Sequence, residues 1–380
     1  MEEKGLYKQI NLAVKHFESL EDPRIERTKQ YPLIEIIVIT LSAILSGADS
    51  FYEIALFGKT KQDWLKQFLK LENGVPSHDT YNRVISLLEP ANFQACVLEW
   101  ITAFIGGKLN KEDILSIDGK QLRGSKKTNL KAVHMLNVWS HKHGLCLAST
   151  AIESKTNEIT AVPELLDTLS LLDLTGCIVT VDALNTQRDI ALKVEEHKAD
   201  YVMALKANQG TLYEDVKWLF NNVYELEEDS FAETHKVSRG RDEYRSCTVI
   251  SDISYLETHN WPKLNTVAKL VSERKIQGRI TREVRYYLSS LEPTAAEFLH
   301  IVRSHWEIEN KLHWVLDVIF HEDQHSYAKP WGVENMSVLR QLALNLFRQD
   351  SSKGSLKGKL KRAAWDDHFR ASILNGLTTF

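Results

Sequence analysis

Two short apolar runs each end on an acid and then meet a small residue: DILSIDG at 113–119 and CIVTVDA at 177–183. Runs of this length, rich in Ile, Val and Leu, predict strands buried on both faces, so helices must cover both sides of the sheet. An ionised carboxylate at the end of such a strand is costly to desolvate unless something compensates it. Asp118 and Asp182 therefore either cap the turns that follow them or belong to a site. In open α/β sheets, ligands gather at the carboxyl ends of strands. If the two strands are parallel neighbours, the carboxylates lie side by side and repel, and a divalent cation relieves the repulsion.

The segments around these runs predict the rest of an α/β domain. MLNVWSHK (135–142) and LCLASTAIES (145–154) predict two strands joined by a turn at His143-Gly144. Helices at 159–172 and 186–197 and the strand DYVMALK (200–206) follow. Three strands, helix, strand, helix, strand implies a mixed sheet with flanking helices. Residues 210–293 break the rhythm with strand-like segments such as EYRSCTVIS and TREVRYYLSS, and read as a β-rich insertion. At 294–348 a long helix begins with a capping box at Thr294 and Glu297, and a second amphipathic helix is expected to pack on it. The α/β core thus comprises 106–209 and 294–348, and 349–380 reads as a basic, poorly patterned tail.

Residues 1–105 read as an all-helical N-terminal domain. The run YPLIEIIVITLSAILSGA (31–48) carries Glu35 and is too short to span a bilayer comfortably, so a buried helix is expected. A helix pair around GVPSHDT (74–80), with Ser77 or Asp79 as N-cap, fits a helix-turn-helix and fits an ordinary helix hairpin as well.

Net charge is −4, which argues mildly against a nucleic-acid partner, but a net value hides patches. Residues 119–131 hold five basic residues and no acid, and 353–362 hold five more. Either run is a solvated surface or a phosphate-binding one. The four cysteines form no CxxC pair and read as reduced thiols, consistent with a cytoplasmic protein. The polar N-terminus carries no secretory pattern.

A third acid comes from the predicted helix 295–319. Phe298, Ile301, Val302, Leu312, Leu316 and Ile319 form one apolar stripe. At about 100° per residue, Glu309 falls near its middle, Glu307 opposite and Asp317 on the flank. His305 shares the face of Glu309. His305, Glu309 and His313 also stand at i, i+4, i+8, with His321 and His325 beyond, a spacing that suits a transition metal. HExxH is absent.

These acids sit in stretches that carry a family resemblance: DPR (22–24) with YPL (31–33), VPSHDTYNRV (75–84), SIDGKQLRGS (116–125), TVDALNTQ (180–187), YVMALKANQ (201–209) and HWEIENKLHWVLDV (305–318). In this order, along nearly the whole chain, they resemble insertion-sequence DDE transposases of the H-repeat-associated type. The resemblance implies an RNase H-like core, a DNA-binding N-terminal domain, and Asp118, Asp182 and Glu309 as catalytic and metal-binding acids. It implies Mg²⁺, with Mn²⁺ as a substitute, cleavage at transposon ends and strand transfer into target DNA. The partners implied are the element's own terminal inverted repeats, target DNA and a second copy of the chain in a synaptic dimer. No membrane partner is implied, and the protein would join the nucleoid when bound to DNA. Related transposases carry a tyrosine, an arginine, the glutamate and a lysine on the last helix; here Val302, His305, Glu309 and Leu316 stand there. On this reading Lys120, Arg123, Lys126, Lys127, Lys206, Asn208, Gln209 and His305 are candidates to hold DNA. The alternatives are an RNase H-like nuclease that cuts without joining, an idle DNA-binding protein derived from a transposase, and a hydrolase using zinc on the histidines.

Overall fold

The computed structural model describes residues 14–17, 19–125, 132–152, 158–222, 230–238, 241–324 and 330–376. The helix expected from the 31–48 run is α1, Leu33–Leu45, and twelve of its 13 residues are buried. Glu35 is among them, and its carboxylate accepts a hydrogen bond from the backbone N–H of Leu71 at 3.0 Å. By length and composition the stretch Glu26–Leu45 passes as a membrane span. The helix itself, at ~1.5 Å per residue, covers only about 20 Å of the roughly 30 Å required.

Three further helices of eight residues or more lie in the described N-terminal unit, with a single helical turn at Gln62–Leu65 between the first two. α2, Phe51–Thr60, starts with a capping box of Ser50 and Glu53. α3, His78–Ile85, is capped by Ser77, whose hydroxyl accepts from the Thr80 N–H. α4, Pro90–Phe104, begins with proline in its first turn, where a missing N–H costs nothing.

Among the described residues, one nine-stranded sheet is built around β1, Ile114–Gln121. On one flank, β2 (His134–Ser140) and β3 (Leu145–Ile152) pair antiparallel as a meander. α5 (Glu158–Thr168) leads to β4 (Ile178–Val181), and α6 (Arg188–Glu196) leads to β5 (Asp200–Leu205). β4 pairs parallel with β1, and β5 parallel with β4. After α7 (Thr211–Asn222) come β6 (Phe231–Ser238), β7 (Arg241–Ile250), β8 (Thr266–Ile276) and β9 (Arg279–Ser289). The strand order is β3-β2-β1-β4-β5-β9-β8-β7-β6. The first five strands are in RNase H-like order. The strands at 231–289 do not form a separate lobe: β9 pairs antiparallel with the open edge of β5, so they extend the core sheet.

α8, Ala295–His305, carries the expected capping box of Thr294 and Glu297 and packs Phe298, Leu299, Ile301 and Val302 against Ile114, Ile178, Val202, Leu270 and Tyr287 of the sheet. α10, Pro330–Gln349, joins the two parts of the molecule. Its Asn345 exchanges hydrogen bonds with Cys146 N–H and C=O at 3.0 and 2.9 Å, which satisfies the outer edge of β3. Its Asn335 donates to the carbonyls of Ile85 and Leu88, the end of α3.

Residues 356–375 correct the expectation of a basic tail. They form α11, Leu356–Trp365, and α12, Asp367–Asn375, docked on the N-terminal helices. Buried Arg370 stacks its guanidinium 3.9 Å from the Trp64 ring centroid, and Lys61 pairs with Asp367 at 2.8 Å. The buried apolar face comes from Ala363 of α11 and from Phe369, Ala371, Ile373 and Leu374 of α12, beyond the lysine run.

Candidate active site

Asp118 and Asp182 lie one residue past the last parallel pair, Ile117 with Val181. Adjacent strands run about 4.8 Å apart, so the two acids are neighbours. Asp118 is not the end of its strand, as expected above, but its fifth residue. The antiparallel ladder with β2 carries β1 on from Asp118, opposite Asn137, to Gln121, opposite His134. Burial raises the Asp118 pKa to about 6; His313 opposes the rise, and the charges of Asp182 and Glu158 add to it. Asp182 serves its own turn as well: Oδ1 accepts from the Leu184 and Asn185 N–H groups at 3.0 Å each and from the Asn185 amide at 3.1 Å.

The helix expected over 295–319 is broken. α8 ends at His305, and Glu309–His313 form a π turn that leads into α9, Trp314–Val318. A π turn adds a residue to the helix and rotates everything after it. The even step is already interrupted at Trp306, and Glu309, which follows that break, is not buried in the stripe: 60% of its side chain is exposed. Glu307, expected to face solvent, is half-buried and pairs with His141 at 2.5 Å and with Lys311. His313, the last residue of the π turn, points inward at 3% exposure, with Nδ1 3.1 Å from Glu309 Oε2 and 3.7 Å from Asp118 Oδ2.

One donor atom each from Asp118, Glu309 and His313 lies within 4.8 Å of the others, and Asp182 neighbours Asp118 on the adjacent strand without joining that group. Carboxylate oxygens are the donors that Mg²⁺ and Mn²⁺ prefer, so the acids fit such an ion. The histidine trio does not converge. His305 Nδ1 faces the Thr180 hydroxyl at 2.9 Å, and His321 lies at the surface near Asp49. His325 falls outside the described residues.

Behind the acids runs a buried polar relay. His134 Nε2 lies 2.7 Å from Glu158 Oε1, Glu158 Oε2 accepts from the Asn185 amide at 2.7 Å, and that amide also reaches Asp182. Gly119 makes room for it: a Cβ there would fall 2.3 Å from both Glu158 Oε1 and His134 Nε2. Sequence reasoning missed His134, Asn137, Glu158 and Asn185. Asn185 had a signal, three residues after Asp182 in the turn; the others had none.

Several DNA-binding candidates are otherwise engaged. Lys120 is 8% exposed, with Nζ 2.6 Å from Asp317 and 2.5 Å from Glu322. Strand β1 turns it under the surface, so it is a structural cation. Asn208 donates to the Ala183 carbonyl at 2.8 Å and Gln209 to that of Thr186 at 2.5 Å, so both brace the Asp182 turn. Burial depresses the His305 pKa to about 4, partly offset by Asp182, so its ring is neutral and offers a phosphate no charge. Arg123 stays at the surface, 84% exposed. Exposed Lys206 lines a pocket of about 150 Å³ with Asp182, Arg285 and Trp306. Lys126 and Lys127 lie outside the described residues.

An RNase H-like sheet with acids gathered where the parallel pairing of its central strands stops is the build of the DDE class, whose members act on DNA and use divalent metal. Residues 109–346 match the family described as "Transposase DDE domain", and 14–101 match the "DDE_Tnp_1-associated" family. The chain belongs to this transposase family. It is 37% identical to "Putative protein YbfL" of Escherichia coli (strain K12), over 97% of this chain and 99% of that one. It is 36% identical, at the same coverage, to "H repeat-associated putative transposase YhhI" of the same strain. Among solved structures, a piggyBac transposase synaptic complex with hairpin DNA aligns with 96% of this chain and 80% of that one, at a TM-score of 0.45 and 11% identity.

Proposed function

We propose that this transposase cuts DNA at the ends of its element and joins the freed 3′ ends to target DNA, using Mg²⁺ held by Asp118, Asp182 and Glu309. The observation that supports the reading is that Asp118 and Glu309, drawn from distant parts of the chain, bring donor atoms within 4.8 Å of each other and of His313, with Asp182 next to Asp118 on the neighbouring strand. Bound there, the ions would offset carboxylate repulsion, activate the attacking hydroxyl and stabilise the leaving oxygen. In cleavage a water oxygen bonds to phosphorus, the P–O3′ bond breaks, and the 3′ oxygen takes up a proton. In joining, that 3′-hydroxyl attacks a target phosphodiester in the same way.

The chain's own groups prepare this. The Leu184 and Asn185 amides fix one oxygen of Asp182. Glu309, largely in solvent, has room to settle as DNA arrives. Lys206 and Arg285 flank the acids and suit phosphates, and Arg285 lies 4.8 Å from the ring centroid of exposed Trp306. Such contacts set affinity and salt dependence, and sequence choice falls to the N-terminal helices, where α3 exposes His78, Asp79 and Arg83. Pairing two DNA ends calls for a homodimer, and reduced buried cysteines suit the cytoplasm.

The test is cleavage of a terminal-repeat duplex by wild type and Asp182→Asn in Mg²⁺. Loss of cutting with DNA binding retained supports the reading, and undiminished cutting refutes it. A pre-cut substrate separates a transposase, which joins it to target, from a nuclease, which leaves it unjoined.

A further inference from the structure

We infer that His313 is a positioning residue whose Nδ1–H bonds Glu309 and so holds it beside Asp118, and that a directed chain of hydrogen bonds from the buried Lys120–Glu322 pair fixes that proton. The direction of each bond follows from chemistry. Glu322 is buried and ionised beside Lys120, so its Oε1 can only accept, and the Ser337 hydroxyl 2.7 Å away must donate to it. With its proton so used, Ser337 Oγ accepts from the Gln341 amide nitrogen at 3.3 Å. The same nitrogen donates to Asn137 Oδ1 at 3.0 Å. The other end of the Asn137 amide is therefore NH₂. The Met135 carbonyl, 3.3 Å from that nitrogen, demands the same orientation independently.

Asn137 Nδ2 also lies 3.3 Å from His313 Nε2, so Nε2 accepts and the single ring proton sits on Nδ1. Nδ1 faces Glu309 Oε2 at 3.1 Å and Asp118 Oδ2 at 3.7 Å. The ring thus gives the acids a donor, not a lone pair. A nitrogen within ligand distance of the carboxylates is on this account no ligand, and the ion meets oxygen alone. A donor that orients a liganding carboxylate typically changes metal affinity about 10–100-fold when removed. The inference rests on Asp118 and Glu309 being the metal carboxylates of the proposed function.

The first test needs no activity. In ¹⁵N-histidine NMR of the full metal-free chain, with the His313 signals assigned by their loss in His313→Gln, the ring should be protonated at Nδ1; protonation at Nε2 overturns the inference. The second is calorimetric titration of the DNA-free protein with Mg²⁺ and with Mn²⁺. His313→Leu should weaken both about equally, by roughly 10-fold or more, and His313→Gln, which keeps an N–H, should recover most of the loss. Unchanged affinity in His313→Leu, or a loss confined to Mn²⁺ as direct ligation by imidazole would give, refutes the role. An Nδ1-protonated ring in a protein that never cuts DNA would instead fault the proposed function and leave this inference standing.

Discussion

The acid cluster should strain the metal-free protein, and Asp118→Asn should relieve the strain. The Asp118 pKa is raised from 3.8 to about 6, chiefly by burial. Between those values the folded state binds more protons than the unfolded one, so stability falls as pH rises from about 4 to 6 and stays lowered above. At 1.36 kcal/mol per pKa unit the upper bound is about 3 kcal/mol at neutral pH. Asp118 keeps 28% of its side chain in solvent and loses its attraction to His313 on mutation, so about 1–3 kcal/mol is expected. With an unfolding entropy of ~2.1 cal/mol/K per residue, that raises the melting temperature of this chain by roughly 1–4 °C. The assay is thermal unfolding by circular dichroism in EDTA at pH 7.5 and again at pH 4.5. At pH 4.5 the gain should shrink to about a third, because Asp118 is then mostly protonated in the folded wild type. Mg²⁺ should raise the melting temperature of wild type and do so far less for the variant. A variant that melts at or below wild type in EDTA, or a gain that does not change with pH, refutes the reasoning.

His305 makes the opposite contribution. Its pKa is depressed from 6.5 to about 4, so the unfolded state binds the extra proton and stability is lost as pH falls through that range, by at most about 3.5 kcal/mol. His305→Gln should flatten this acid limb in chemical denaturation between pH 4 and 7, and an unchanged limb would show that the ring is not held neutral. Gly119→Ala should cost about 1–3 kcal/mol by overpacking, because its Cβ would meet Glu158 and His134; a urea midpoint equal to wild type would contradict the close approach. Lys120→Met leaves Asp317 and Glu322 without their cation and should cost roughly 3–5 kcal/mol. Lys206→Ala should leave unfolding unchanged and lower the salt slope of DNA binding by about one, as measured by fluorescence anisotropy. Equal effects of the two lysine variants on folding would erase the distinction between them.

Much of the α/β core was legible because its signals are local. The apolar runs ending on Asp118 and Asp182 became β1 and the parallel strand β4. Ser77, Thr294 and Glu297 capped the helices they were expected to cap. The apolar helix with Glu35 was readable from composition, though not the Leu71 N–H that satisfies its acid. The basic stretch at 119–131 misled in part, since Lys120 has a charge that composition counts and a neighbourhood that it does not. The apolar stripe misplaced Glu309 because an even 100° step has no way to anticipate the break at Trp306.

Sequence alone determined the alternation of strands and helices, the motif stretches and the family they mark, since hydrophobic period, caps and short motifs act over a few residues. Only the tertiary structure decided that the strands at 231–289 extend the core sheet, that α11 and α12 dock on the N-terminal helices, and that His313 rather than His305 meets the acids. Each of these depends on groups far apart in the chain satisfying one another: an open strand edge, a buried guanidinium, a ring nitrogen facing two carboxylates. Such pairings are fixed by packing and by the cost of leaving a buried polar group alone, and no single stretch of the sequence carries that information.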